Sequence, residues 1–142
     1  MCPPVLLYRL GNAVHRLRIP FIPKMITGLN RLLFACYLPS TASLGKGVVL
    51  AYWGLGTVIH AASKIGDRTL IRQNVTIGTR HKGGGVPTIG ADCFIGAGAV
   101  ILGAVNIGDR AIIGANSVVT HDVPTGATVV GVPARPLNKS QL

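Results

Sequence analysis

Residues 89–119 read IGADCFIGAGAVILGAVNIGDRAIIGANSVV, and an isoleucine or a valine stands at every sixth position of this stretch. The period extends back to Ile59, and the step from Ile77 to Ile89 is twelve residues, so the interruption keeps the register. A six-residue period fits neither a helix of about 3.6 residues per turn nor one long strand. It predicts a solenoid of short strands and turns. The aliphatic positions are Ile59, Ile65, Ile71, Ile77, Ile89, Ile95, Ile101, Ile107, Ile113 and Val119.

Each hexad supplies one inward aliphatic residue, a corner that often carries glycine, and a second, smaller inward residue four positions after the first. Three hexads make one triangular coil, in which the isoleucines stack on those of the next coil. A single coil cannot bury its own apolar face, so stability must come from the stacking of neighbours. The predicted fold is an all-β solenoid over residues 43–130, with a loop at 79–88 and a C-terminal tail at 131–142.

The composition suits such a narrow core. The chain has 142 residues, of which 49% are hydrophobic but only 5% aromatic, so isoleucine, valine and alanine must fill the interior. Cys2, Cys36 and Cys93 show no metal-ligand spacing, which favours a reduced, cytoplasmic setting. Cys93 falls on a small inward position, and we expect it to be a buried filler.

Residues 1–42 lack the repeat and carry five cationic residues but no acidic one. Prolines divide this segment into two predicted helices, at 5–18 and 24–36. One interpretation is a helical cap that covers the open end of the solenoid and contacts neighbouring subunits. The other, compatible with it, is a basic amphipathic surface at residues 1–36 that touches an anionic membrane, which would make the protein peripheral at the inner membrane surface.

We expect no membrane-spanning helix, no signal peptide and no nucleic-acid partner. No apolar run reaches the ~18 residues that a membrane-spanning helix needs, and no signal peptide is recognised. The net charge of +10 raises nucleic acid as a partner. The positive charges are dispersed, however, and no nucleic-acid-binding motif accompanies them.

Histidines are the candidate catalytic residues, because transfer of an acyl group to a hydroxyl needs a base that works near neutral pH. His60 replaces glycine at the corner of its hexad and should project outward, so we predict that it is the base. His81 is the rival, since it lies beside Arg80 in the glycine-rich loop that interrupts the repeat. His15 and His121 are expected to be surface residues.

Four motifs carry a family resemblance: GLGTVIHAASKIG (54–66), QNVTIG (73–78), CFIGAGAVILGAVNIG (93–108) and VVGVPARPL (129–137). They resemble the hexapeptide-repeat acyltransferases of the serine acetyltransferase branch, and more closely its short relatives that acetylate sugars of surface polysaccharides. The resemblance implies a left-handed parallel β-helix, a homotrimer, and acetyl-coenzyme A as the donor, with no metal.

The same resemblance assigns binding residues. The donor would lie in a groove between adjacent subunits, which is lined by small residues and free backbone amides. The residues that match the donor site are Ala97, Gly98, Ala115, Asn116 and Arg135. The residues expected to shape the acceptor pocket are Tyr52, Trp53 and Arg80.

The acceptor is the most open point. Serine acetyltransferases carry an Asp-His pair at the place where this chain reads Ala51-Tyr52-Trp53. We therefore expect O-acetylation of a sugar hydroxyl on a bacterial surface or exported polysaccharide, or on its precursor. The alternatives are acetylation of free serine for cysteine synthesis, a metal-binding β-helix that hydrates carbon dioxide with three histidines, and a scaffold without catalysis.

Overall fold

Two helices precede the repeat in the computed structural model, which describes residues 2–19 and 21–137. Helix α1 spans Pro3–Arg16 and helix α2 spans Ile22–Phe34. Both begin about two residues before the predicted helices at 5–18 and 24–36. The reason is that prolines occupy the first turn of each, where a missing N–H costs no hydrogen bond.

Fourteen strands of two or three residues follow, with a short 3₁₀ turn at Ala51–Gly54 after the second of them. The first seven are β1 Ser43–Leu44, β2 Val49–Leu50, β3 Val58–Ile59, β4 Lys64–Ile65, β5 Leu70–Ile71, β6 Thr76–Gly78 and β7 Thr88–Ile89. The second seven are β8 Phe94–Ile95, β9 Val100–Leu102, β10 Asn106–Ile107, β11 Ile112–Ile113, β12 Val118–Val119, β13 Thr128–Val130 and β14 Arg135–Pro136.

The strands form three sheets that run along the solenoid. Sheet 1 contains β1, β4, β7 and β10; sheet 2 contains β2, β5, β8, β11, β13 and β14; sheet 3 contains β3, β6, β9 and β12. The strands pair in parallel, except that β14 in the C-terminal tail folds back antiparallel on β13. The chain is thus a parallel β-helix of about four coils, as the six-residue period predicts.

The isoleucine stacks form the core. In sheet 2, Ile71 is opposite Ile95, and Ile95 is opposite Ile113; all three side chains are fully buried. Small residues fill the positions between the stacks, among them Thr69 and Cys93, which are also buried. Burial of these side chains is the main source of stability for such a prism.

Helices α1 and α2 pack at the N-terminal end of the prism. The Tyr8 hydroxyl donates a hydrogen bond to the Ala42 carbonyl over 2.6 Å, and Asn12 Nδ2 donates to the Ser40 carbonyl over 2.8 Å. These contacts agree with the cap interpretation. Helix α2 nevertheless leaves large apolar side chains in solvent, including Phe21 at its N-cap (78% exposed) and Leu32 (82% exposed). Within residues 2–19 and 21–137, no helix is long and apolar enough to cross a bilayer.

Candidate functional site

The sequence-predicted site residues lie on two of the three edges of the prism. The histidine edge joins sheet 3 to sheet 1 and comprises residues 60–63, 79–87, 103–105 and 120–122. The groove edge joins sheet 2 to sheet 3 and comprises residues 51–57, 72–75, 96–99, 114–117 and 131–134. Sheet 3 lies between these edges, so a single subunit holds the two groups of residues apart.

His60 lies half-buried on the histidine edge. Its backbone N–H donates to the Ile77 carbonyl over 2.8 Å, which fixes this corner on the next coil. The Ala62 N–H donates to Nδ1 of its ring over 3.1 Å. A nitrogen that accepts a hydrogen bond is unprotonated, so the neutral ring carries its proton on Nε2. In this geometry Nε2 is a hydrogen-bond donor.

His81 lies in the loop of the same edge and is exposed. This part of the loop forms a turn, in which the Gly84 N–H donates to the His81 carbonyl over 2.9 Å. Within the described residues, neither ring nitrogen of His81 takes part in a hydrogen bond. His81 is therefore free to accept a proton without losing an existing contact.

Arg80 connects this loop to the last coil. Its Nη2 donates to the Thr120 carbonyl over 2.7 Å, and its side chain lies beside Gly103. The neighbouring His121 is exposed, with Nδ1 3.1 Å from Thr120 Oγ1. The structure thus brings three histidines to one edge, although the sequence analysis left His121 outside the site. The signal for His121 was its register in the repeat, because it follows β12 of sheet 3 as His60 follows β3.

No metal site is formed by these histidines. Among the described residues, no group of three or more His, Cys, Asp or Glu side chains is arranged to hold a metal ion. The acidic residues of the chain are Asp67, Asp92, Asp109 and Asp122. The first three lie between sheets 1 and 2, where Arg68 pairs with Asp92 at 2.7 Å. The guanidinium of Arg68 lowers the pKa of the Asp92 carboxyl.

The predicted donor-binding residues share the groove edge. Gly98 and Asn116 are corner residues with left-handed backbones, at φ values of 70° and 56°. The Asn116 N–H donates to the Ala97 carbonyl over 2.8 Å, which stacks one corner on the next. A Cβ at position 98 would collide with the Asn116 amide oxygen, which together with the positive φ favours glycine there.

Backbone amides on this edge are available to a ligand. In the described part of the chain, the N–H groups of Ala97 and Ala115 donate to no protein acceptor. Between sheets 1 and 2 the equivalent amides are satisfied, since Asp67 accepts from the Lys46 N–H and Asp109 from the Ala91 N–H. The groove edge lacks such aspartates, so its amides can bind a carbonyl or another acceptor.

Arg135 lies at the end of the groove edge, in β14, and its side chain is exposed. The turn before it is fixed by the Gly131 N–H, which donates to Ser117 Oγ over 3.0 Å, and by the Ala134 N–H, which donates to the Val118 carbonyl over 2.9 Å. All five residues predicted to bind the donor are therefore brought together along one edge.

The predicted acceptor residues are divided between the two edges. Tyr52 and Trp53 occupy the first corner of the groove edge, where they are 65% and 60% exposed. Arg72 lies over the Tyr52 ring at 5.4 Å, and Phe34 meets Trp53 edge-on at 6.0 Å. Arg80 is on the histidine edge instead. Sequence spacing could not reveal this division, because it depends on which corner of the triangle each residue occupies.

The two buried cysteines do not offer a nucleophile. Cys93 is buried, as predicted, and its thiol donates to the Gly108 carbonyl over 3.2 Å. Burial raises the pKa of the Cys93 thiol, and burial together with the nearby Cys2 raises that of Cys36 to about 12. Both thiols therefore stay protonated at neutral pH, where the reactive thiolate would be scarce.

Comparison with known proteins connects this geometry to one group of enzymes. The family described as bacterial transferase hexapeptide (six repeats) matches residues 87–121. A serine acetyltransferase from Helicobacter pylori is 39% identical over 139 residues, which cover 96% of this chain and 81% of that protein. A serine acetyltransferase from Synechococcus elongatus is 38% identical over 135 residues, covering 94% of this chain but only 55% of that protein.

Solved structures agree. A serine acetyltransferase in complex with CoA superposes with a TM-score of 0.88 at 31% identity, over 94% of this chain and 55% of that one. The serine acetyltransferase of Neisseria gonorrhoeae gives a TM-score of 0.90 at 34% identity, over 96% and 54%. The chain thus spans about half the length of these proteins. The matches favour the serine alternative, and they do not support the expected closer likeness to polysaccharide acetyltransferases.

Proposed function

The chain belongs to the serine acetyltransferase family, and from this premise we propose that it transfers the acetyl group of acetyl-coenzyme A to the hydroxyl of free serine. The observation that carries the proposal is the likeness to the Helicobacter pylori enzyme, which extends over 96% of this chain and so includes both the histidine edge and the groove edge. The reduced state of the buried thiols fits a reaction in the cytoplasm.

The donor binds along the groove edge. Ala97 and Ala115 present free N–H groups and short side chains, which suit the amide carbonyls and the narrow chain of pantetheine. Arg135, exposed at the end of the same edge, is placed for a coenzyme phosphate. The complex of a related enzyme with CoA supports this choice of donor.

A histidine of the histidine edge, His60 or His81, removes the proton from the acceptor hydroxyl. The oxygen then attacks the thioester carbon, the carbon–sulfur bond breaks, and the protonated imidazole returns its proton to the departing coenzyme thiolate. His81 can accept a proton as it stands. His60 must first release the Ala62 N–H from Nδ1; otherwise it contributes as a donor through Nε2.

The complete site requires more than one subunit. Sheet 3 separates the histidine edge from the groove edge, so one chain cannot bring a base to its own bound thioester. In a trimer of parallel prisms, the histidine edge of one subunit faces the groove edge of the next. We therefore propose a homotrimer with one active site at each interface.

A sugar hydroxyl is the second candidate acceptor. The observation in its favour is the corner Ala51-Tyr52-Trp53, which presents two exposed aromatic rings and no carboxylate. Flat aromatic faces suit the apolar face of a pyranose ring, whereas a carboxylate beside a histidine would suit the ammonium group of serine.

We further propose that the N-terminal helices contact the surface of an anionic membrane. Helix α2 and its N-cap expose Phe21, Met25 and Leu32, and residues 1–36 carry five Lys and Arg residues but no acidic one. This combination fits the surface of an anionic bilayer. Cosedimentation with vesicles rich in phosphatidylglycerol, but not with neutral phosphatidylcholine vesicles, is the expected result, and Phe21→Ser with Leu32→Ser should abolish it.

The test of the acceptor is thiol release from acetyl-coenzyme A, with free serine in one series and acetyl-free polysaccharides in another. Turnover with serine alone is the expected result. Turnover with a glycan alone would replace serine by the second candidate. If neither acceptor releases thiol while coenzyme A binds, the proposed acceptors are both wrong.

A further inference from the structure

A cavity of about 660 Å³ lies between helix α2 and the first coil, and no step of the proposed reaction uses it. Lys24, Thr27, Gly28 and Arg31 line one side of it, at intervals of three, four and seven residues. Such spacing places them on one face of the helix. The opposite wall includes Tyr37 and Ser40, from the segment that leads into the repeat.

The cations of this cavity are uncompensated. Lys24 and Arg31 are exposed, and His15 of helix α1 joins them in the lining. No carboxylate lines the cavity, and the acidic residues of the chain all lie beyond position 66. Among the described residues, the ion pair between a basic and an acidic side chain joins Arg68 to Asp92, which lie outside this cavity. The field inside the cavity therefore favours an anion.

Gly28 lies between the two cations on the cavity-lining face of helix α2. A Cβ built at this position meets no other atom within 4 Å, so the space beside the helix is empty there. Lys24 and Arg31 are seven residues apart, which is about 10 Å along the helix axis. Two long side chains at that separation can converge on one phosphate or diphosphate group.

The cavity also reaches the histidine edge. Ala61, the residue that follows His60, belongs to its lining. A ligand that fills the cavity would contact this corner of the histidine edge. The volume is in the range of sites for molecules much larger than free serine.

We propose that this cavity binds a phosphorylated small molecule, with the phosphate held by Lys24 and Arg31. This inference goes beyond the proposed acetyl transfer to serine. The phosphate is the part recognised by charge, and a sugar without it should not bind.

The test is isothermal titration of the full chain with glucose 1-phosphate and with UDP-glucose, in the presence of saturating coenzyme A so that the donor site is filled. Glucose and serine serve as uncharged and zwitterionic comparisons. Lys24→Gln and Arg31→Gln should each weaken binding of the phosphorylated probes by about tenfold or more. Lys46→Gln, a matched loss of charge at another edge of the prism, should leave their affinity unchanged.

Gly28→Leu gives a second test that does not depend on charge. Leucine is a better helix former than glycine, so the variant should fold, while its side chain projects into the cavity between Lys24 and Arg31. Loss of binding of both phosphorylated probes is expected, together with unchanged binding of coenzyme A. If Gly28→Leu and the two charge variants all bind like the wild type, or if glucose binds as well as glucose 1-phosphate, the inference is wrong. Neither result depends on acetyl transfer, so each is separable from the proposed function.

Discussion

At the scale of single residues, the two candidate bases differ in the hydrogen bonds that they already make. Nδ1 of His60 accepts from the Ala62 N–H, whereas the ring of His81 is unengaged within the described residues. Sequence alone puts His60 first, because it replaces a corner glycine. The structure adds that Nε2 is the free ring nitrogen of His60, and that in this geometry it is a hydrogen-bond donor and not an acceptor.

Glutamine variants separate these roles. Glutamine keeps an N–H donor but cannot take up a proton, so we expect His60→Gln to retain clearly more kcat than His60→Ala. We expect His81→Gln to lower kcat by about 10²–10⁴-fold, as the loss of a general base does. The measurement is steady-state thiol release at saturating coenzyme, with binding of coenzyme A as the folding control. Equal inactivity of His60→Gln and His60→Ala, with an active His81→Gln, would assign the base to His60.

At the scale of elements, the stacked strands explain why inward and outward neighbours tolerate change so differently. Ile95 is fully buried between Ile71 and Ile113 in sheet 2, while Phe94 beside it on β8 is 38% exposed. Successive residues of a strand point to opposite faces, so the two positions differ only in direction.

Ile95→Asp should therefore unfold the protein. A carboxylate in an apolar stack costs several kcal/mol, whether it stays charged or has to take up a proton to be buried. Ile95→Ala should lower the free energy of unfolding by about 2–5 kcal/mol. The control is Phe94→Asp on the outer face, which should keep a cooperative thermal transition close to that of the wild type. Circular dichroism melts measure all three, and a folded Ile95→Asp variant would contradict the packing described here.

At the scale of the whole molecule, the proposed division of the site between two edges would make catalysis a property of the assembly. His60 and His81 lie on one side of sheet 3, and Ala97, Ala115 and Arg135 lie on the other. In the proposed trimer the two groups would meet, whereas in one chain they lie apart. This predicts that two different defects can be complemented between subunits.

Coexpression of two inactive chains tests this. His60→Ala together with His81→Ala removes the histidine edge from one chain, and Ala115→Trp blocks the groove edge of the other. Random mixed trimers should recover roughly a quarter of the wild-type sites, since each intact interface needs one sound edge from each chain. Sedimentation should give the mass of a trimer for every species. Mixed trimers as inactive as the parents would show that the two edges do not meet.

The six-residue period determined the fold because it specifies contacts between consecutive coils. Each isoleucine pairs with the one at the same position of the next coil, so a local pattern encodes the tertiary neighbours directly. The two helices and the loop were also predictable, since prolines and the suspended repeat mark them. The helix boundaries differ from the predicted ones by about two residues, because proline is accepted inside the first helical turn.

The site depended on the tertiary structure, because function here requires residues from separate corners to share an edge. The sequence predicted His60 from its corner position, His81 from the loop that interrupts the repeat and the donor residues from a family resemblance, and it grouped Arg80 with Tyr52 and Trp53. It also left His121 outside the site and gave no sign of the cavity beside Gly28. Whether an amide is free, which ring nitrogen carries the proton, and whether a cation has a partner are set by three-dimensional contacts that no spacing along the chain encodes.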